Sequence, residues 1–551
     1  MTACPDLVVL GRIATLAGEE GPGWVEGLAV RDGRVVAAGS RADVEALAGR
    51  GTRRLALAPG EAAIPGLTDA HLHLASAAMA RRAVDLAGVT TVGGLVERVR
   101  AFASAHPDPG AWIEGGGWDA DVLGRWPTAD DLQRAAPGRR IAVWAHDHHA
   151  LLASSRALAE AGIDDERVDP EGGVIRRDEA GHATGVLHEV AARLVGRLVP
   201  PADEAAIADA IDVLAAELVG LGVVAVHDPG GLAPSAGLGG PIAAYRALAA
   251  AGRLRVRVHA CLRVEQLEAA IAEGLRSGSP LCPDPLDRLR LGWLKTFADG
   301  SLGSRTAALL EPLDPIPGEP DPPNGGCGVW LTPPAPLREQ AGRAAAAGIA
   351  TQIHGIGDAA VRAALYALAP TVGATPLMPR VEHAQLVAAR DIPRFAALGV
   401  AASMQPVHVR SDAAKARRLW GARAEARGYA LAAIARSGAV LAAGTDAPVE
   451  PVDPWPGVVC AVTRSAPDWA PGTPAFGPQN ALDLWASLRA WCVGPAVTAG
   501  ERDRGRLAPG QRADVVVLPA AALAEPVEAG GALWHARPRL VLMDGLVVAG
   551  A

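Results

Sequence analysis

The chain has 551 residues, 50% of them hydrophobic and 20% charged, with a formal net charge of −8. That length exceeds one ordinary domain and supports a large core. The acidic balance, spread without long charge blocks, argues against nucleic acid or an anionic membrane as the main partner, since both need a basic patch.

No apolar run is long enough to span a bilayer, and the opening "MTACPDLVVLGRIATLAG" lacks a basic segment followed by a long apolar one. Cys4, Cys261, Cys282, Cys327, Cys460 and Cys492 form no close pair. Neither a zinc knuckle nor a disulfide framework is indicated, and a reduced, cytoplasmic setting is expected.

In chain order, residues 6 to 64 read as short strands with Gly-containing turns ("DLVVLGRIATL", "WVEGLAVRDGRVVAAG", "RRLALAPGEAAIPG"). The C-terminus has the same character in "ADVVVLPA" and "RPRLVLMDGLVVAG". Residues 1–64 and 500–551 are therefore expected to build one composite β-sandwich domain from both ends of the chain.

Between them lie eight short apolar strands. They end near residues 66–73, 222–230, 255–262, 291–300, 349–358, 379–385, 399–406 and 439–448. Ala-rich helical stretches such as "PLREQAGRAAAAG" separate most of them. Strand–helix alternation predicts a parallel sheet, and eight repeats predict an α/β fold of the (β/α)8 TIM-barrel type over residues 65–499. The long gap after the first strand, about residues 75–220, reads as an insertion on the catalytic face.

A barrel presents reactive groups at the C-terminal ends of its strands. His71 and His73 end the first, Lys295 lies on the fourth, His354 ends the fifth, His383 the sixth and Asp446 the eighth. Alternation places His71 and His73 on one face. Imidazole and carboxylate suit zinc and similar divalent ions. Two ions about 3.5–4 Å apart need a bridging anion. Lys295 supplies one if its amine, buried and depressed in pKa, takes up carbon dioxide as a carbamate. Taken singly, each residue has a structural reading: a hydrogen-bonded core histidine, an ion-paired lysine, an Asx turn at "GTDAP". The set of six is hard to attribute to turns.

The motifs "PGLTDAHLHL", "LKTFADGSLGSRTAAL", "QIHGIGDAA", "RVEHAQ", "SMQP" and "GTDAPVEPVDP" resemble the amidohydrolase superfamily, in particular its YtcJ-like branch with the N-substituted formamide deformylases. The resemblance extends over nearly the whole chain. It implies one or two divalent ions, zinc foremost. His71 and His73 hold the more buried ion, a carboxylated Lys295 bridges, and His354 and His383 hold the second. Asp446 contacts metal and water and serves as base. The implied reaction is hydrolysis of a non-peptide C–N bond, amide or N-formyl, in a small molecule. Two alternatives stand beside it: deamination of a ring or cyclic amidine, and a non-catalytic binding barrel. A homodimer is a family expectation.

Further substrate-binding candidates are His149, Arg305, Gln405 and Glu450. His149 aligns with a branch histidine in an Asp-Gly-His-Ala motif, whereas His148 stands where that branch has glycine and is expected to alter the loop backbone. Glu189 and Asp69 are read as structural, Glu382 as a support for a ligand, and Asp358 as a cap for the helix after the fifth strand. His227 and His259 are read as hydrogen-bonded core residues, and Trp112, Trp118 and Trp126 as packing, with an apolar substrate pocket as their other reading.

Overall fold

The computed structural model describes residues 4–200, 202–231, 237–313 and 322–550. Eight parallel strands occur where the sequence predicts them: β1 (Leu67–Asp69), β2 (Val223–Asp228), β3 (Arg257–Arg263), β4 (Leu289–Phe297), β5 (Thr351–Gly355), β6 (Arg380–His383), β7 (Ala401–Met404) and β8 (Leu441–Ala443). They pair in chain order, each with the next. The last seam is held by Ala70 N–H donating to the Ala443 carbonyl at 3.0 Å and Asp446 N–H to that of His71 at 2.6 Å. The architecture is a (β/α)8 barrel.

Helices sheathe the barrel because their apolar residues recur at helical spacing. Asp358–Leu368 buries Ala360, Val361, Ala364, Leu365 and Leu368 on one face. Helix Leu484–Thr498 packs against both β8 and β1, covering the seam. No described helix is long and apolar enough to cross a membrane.

Both chain ends join one eight-stranded sheet, in which Val515–Pro519 pairs antiparallel with Glu61–Pro65. Its side chains alternate: Ala63, Val515 and Val517 enter this sheet's own core, while Ile64, Val516 and Leu518 enter the barrel's core. Burial on both faces explains why "ADVVVLPA" is continuously apolar. Arg257 at the start of β3 ties the units together, donating to Asp514 at 2.9 Å and Asp544 at 2.7 Å.

Residues 84–189 carry a third, six-stranded sheet after β1. Helix Glu204–Gly220 then packs on helices Leu74–Ala80 and Pro241–Ala250, back in the barrel's outer layer. The third sheet has its own apolar clusters and sends the 146–149 turn over the barrel mouth.

Candidate active site

The C-terminal mouth of the barrel opens into a cavity of about 670 Å³. His73, Lys295, His354, His383 and Asp446 line it, with His146, His148 and His149 from the insertion and His408 from the segment after β7.

His71 Nε2 and His73 Nε2 lie 3.4 and 3.5 Å from Asp446 Oδ1. Ligand atoms of these three residues fall within 4.8 Å of one another. Lys295 Nζ is 3.4 Å from His71 Nε2. The His71 and His383 ring centres are 4.8 Å apart, and those of His354 and His383 4.5 Å. All six predicted residues are thus gathered at one place.

Each of the four imidazoles has its outer nitrogen engaged. His71 Nδ1–H donates to Glu382. His73 Nδ1–H donates to the Gly230 carbonyl at 2.7 Å, His383 Nδ1–H to Gln405 Oε1 at 2.8 Å, and His354 Nε2–H to the Gly300 carbonyl at 3.0 Å. These bonds fix the tautomers and leave the second nitrogen of each ring with a free lone pair, the state a metal ligand needs. Burial, with Lys295 and neighbouring cationic groups adding to it, holds the pKa of His71, His354 and His383 well below the usual range, so they stay neutral.

Burial lowers Lys295 to about 8, with Glu382 and Asp446 opposing, so a neutral amine is accessible near neutral pH. Burial opposes ionisation of Asp446, but its polar surroundings, His73 foremost with His408 and Lys295, outweigh it and keep the carboxyl below the usual range. The donor set fits one divalent ion, or two with an anion on Lys295.

Behind these imidazoles, Glu382 faces Arg380 Nε at 2.6 Å. Arg380 donates to Gln352 and the Ala70 carbonyl, contacts His227 Nδ1 at 3.0 Å, and stacks on Trp293 at 3.9 Å. His227 is therefore hydrogen-bonded as expected. His259 is not: among the described residues neither ring nitrogen has a hydrogen-bond partner, Nε2 only facing Glu501 at 4.0 Å, and the ring packs against His227 and Trp293.

Among the substrate-binding candidates, His149 and Arg305 line the cavity. His149 Nδ1 is paired with Glu189 at 2.9 Å, which lifts the imidazole to about 9 against the opposing effect of burial. Gln405 sits behind His383 rather than on the cavity wall, and Glu450 faces His146 at 3.5 Å. Glu189 also accepts from Thr306 at 2.5 Å, and Asp147 accepts from Ser301 and Ser304 at 2.6 and 3.1 Å. Asp358 accepts from Leu310 N–H at 2.9 Å, and no side-chain bond caps its own helix. Trp118 and Trp126 share the cavity wall; Trp112 packs in the insertion's core.

His408 was not visible as a site residue from the chain. Its Nε2 faces Asp446 Oδ2 at 3.6 Å, while Nδ1 accepts from Gln385 at 3.1 Å. It therefore presents N–H, not a lone pair, to Asp446 and acts as a donor rather than a ligand. The only signal was a histidine four residues beyond the end of a barrel strand.

Six of the thirteen described non-glycine residues with positive φ surround this site: His148, Glu189, Arg305, His383, Ala384 and Asp446. Backbone strain of this kind concentrates where side chains must be aimed. His148 keeps φ at +57°, a region glycine enters freely.

A barrel whose mouth gathers four lone-pair imidazoles, a carboxylate and a buried lysine has the framework of a metal-dependent hydrolase. A profile of the amidohydrolase family matches residues 58–549, and the chain belongs to that family and is a hydrolase of its superfamily. Amidohydrolase YtcJ of Bacillus subtilis strain 168 is 29% identical over 462 residues, covering 83% of this chain and 84% of that protein. The N-substituted formamide deformylase of Arthrobacter pascens is 25% identical over 539 residues, 94% of each chain. A metal-dependent hydrolase from Pyrococcus furiosus superposes with a TM-score of 0.70 at 28% identity, covering 95% of this chain and all of that one.

Proposed function

We propose that this chain is a divalent-metal hydrolase, with zinc the ion its donors suit best, cleaving an amide or N-formyl C–N bond of a small molecule. The observation that carries this reading is the convergence of His71, His73 and Asp446 beside Lys295, with every ligand imidazole fixed in one tautomer. His71 and His73 would hold one ion, His354 and His383 a second, and Lys295, as a carbamate, would bridge.

Bound there, a divalent ion polarises a carbonyl and makes water a competent nucleophile at neutral pH. Asp446 takes the proton from the attacking water and returns it to the leaving nitrogen. His408 Nε2–H faces the second carboxylate oxygen and keeps the first directed at the reacting centre. The walls from Trp126 and Trp144 exclude water from an apolar substrate body.

The test is a panel of small N-formyl amines, acyl amides and cyclic amidines offered to protein loaded with zinc, manganese or cobalt, with formate, amine and ammonia measured separately. Formate or carboxylate released with an amine supports the reading. Ammonia from amidines alone would replace it with deamination, and inertness of the metal-loaded protein across the panel would reject it.

A further inference from the structure

β3 ends in Arg263, which is 6% exposed and forms part of the cavity wall. The register of β3 and β4 sets Arg263 opposite Lys295, so both side chains leave the sheet on one face. The guanidinium carbon lies 4.4 Å from the centre of the Phe297 ring, and Lys295 Nζ lies 4.9 Å from that centre. The aliphatic stem runs over Gly230, where a Cβ would meet Arg263 Cδ at 3.2 Å and Cγ at 3.3 Å. That glycine also supplies the carbonyl that orients His73. Gly230 and Phe297 thus hold this cation beside the catalytic centre.

What Arg263 lacks is a counter-ion. Its Nη1 is buried without a hydrogen-bond partner, and no described carboxylate reaches ion-pair distance, with Glu265 and Asp228 acting only from further off. Asp228 is already held by the Tyr245 hydroxyl and by Gly230 N–H at 2.8 Å, and Glu265 is exposed. Arg257 and Arg380, equally buried, are each paired with carboxylates. A buried guanidinium left unpaired is costly, and its fork geometry matches a carboxylate. Arg176, stacked on Trp126 at 4.4 Å, and Arg193 line the same cavity and add positive potential.

We infer that Arg263 anchors a carboxylate subsite, and that the substrate is an amide carrying a carboxylate on an apolar body. This rests on the amide-hydrolase reading above. The competing occupant is an anion on Lys295 itself, and the two are separable.

Calorimetry on metal-loaded protein would compare phenylacetate with its neutral isostere phenylacetamide. Phenylacetate should bind at least about tenfold more tightly to the wild type, Arg263→Met should abolish the preference, and Arg263→Lys should keep part of it. A wild type without the preference, or a preference that survives Arg263→Met, overturns the inference. In turnover, Arg263→Met should lower kcat/KM for N-formylphenylalanine by about 100-fold and that for N-formyl-2-phenylethylamine by less than about threefold. An equal fall on both with loss of metal places Arg263 in support of Lys295 and also overturns it. Failure of the wild type to cleave either compound rejects amide hydrolysis, while the binding preference still decides the subsite.

Discussion

Asp69 and Thr445, 376 positions apart, are joined by two kinds of hydrogen bond: Thr445 Oγ1 donates to Asp69 Oδ2 at 2.6 Å and Thr445 N–H to Asp69 Oδ1 at 3.1 Å. Asp69 also accepts from His71 N–H at 3.0 Å and is fully buried. This carboxylate latches β1 to the segment after β8, so it holds the barrel's seam and the backbone of His71 together. Asp69→Ala leaves three buried donors unsatisfied and should cost about 3 kcal/mol. Urea unfolding measures it; a loss under about 1 kcal/mol would show the seam does not depend on this latch.

Gln405 touches the centre only through His383 Nδ1. Gln405→Met keeps the volume and removes the acceptor. Metal affinity should fall by about 10- to 100-fold, with the melting temperature of the metal-free protein little changed. Competition with a chromophoric chelator gives the affinity directly, and an unaltered value would remove Gln405 from the site's support.

His146 provides a pH signature. Burial opposes its charging, but Glu450 at 3.5 Å outweighs burial and lifts the imidazole from 6.5 to about 9. The folded state then binds more protons than the unfolded chain between these values. The stabilisation is complete below pH 6.5 and is lost as pH rises through about 9. With the side chain 25% exposed, screening reduces the effect to about 1–2 kcal/mol. Denaturation midpoints from pH 6 to 9.5 should fall more steeply for the wild type than for His146→Gln; parallel curves would contradict the pair's role.

His148 holds φ +57° with its Nδ1 buried and unpartnered, and burial lowers its imidazole to about 4. Glycine relieves about 1–2 kcal/mol of left-handed strain while adding about 0.5–1 kcal/mol of chain entropy. His148→Gly should therefore be no less stable than the wild type and should admit bulkier amides, seen as a lower KM for branched than for linear substrates. A clear drop in melting temperature would mean that the imidazole packs more tightly than its backbone strain costs.

The strand ends and five of the candidate site positions were legible because they combine a short apolar run with a polar terminus, and eight such units imply a barrel. Asp446 alone, in "GTDAP", reads equally well as a turn, and it drew its weight from the other five strand-end residues. Placement of supporting residues was not legible. Gln405 resembled a pocket residue until its carbonyl was seen to bind His383, and Arg263 looked like any arginine ending a strand. Hydrogen-bond partners 22 or more residues away, such as Gln405 with His383, carry no local periodicity. His148 is the opposite case. From the chain it stands where the resembled branch has glycine, and it takes the left-handed φ of +57° that glycine adopts freely.

On the reading proposed above, His71, His73 and Asp446 hold a catalytic divalent ion beside Lys295. Elemental analysis of purified wild type and Asp446→Asn, paired with hydrolysis of N-formyl-2-phenylethylamine, tests it most directly. One to two equivalents of divalent metal should accompany the wild type, with kcat falling by about 10³-fold in Asp446→Asn at unchanged fold. A wild type that takes up no metal, or an Asp446→Asn variant of unreduced kcat, would contradict it.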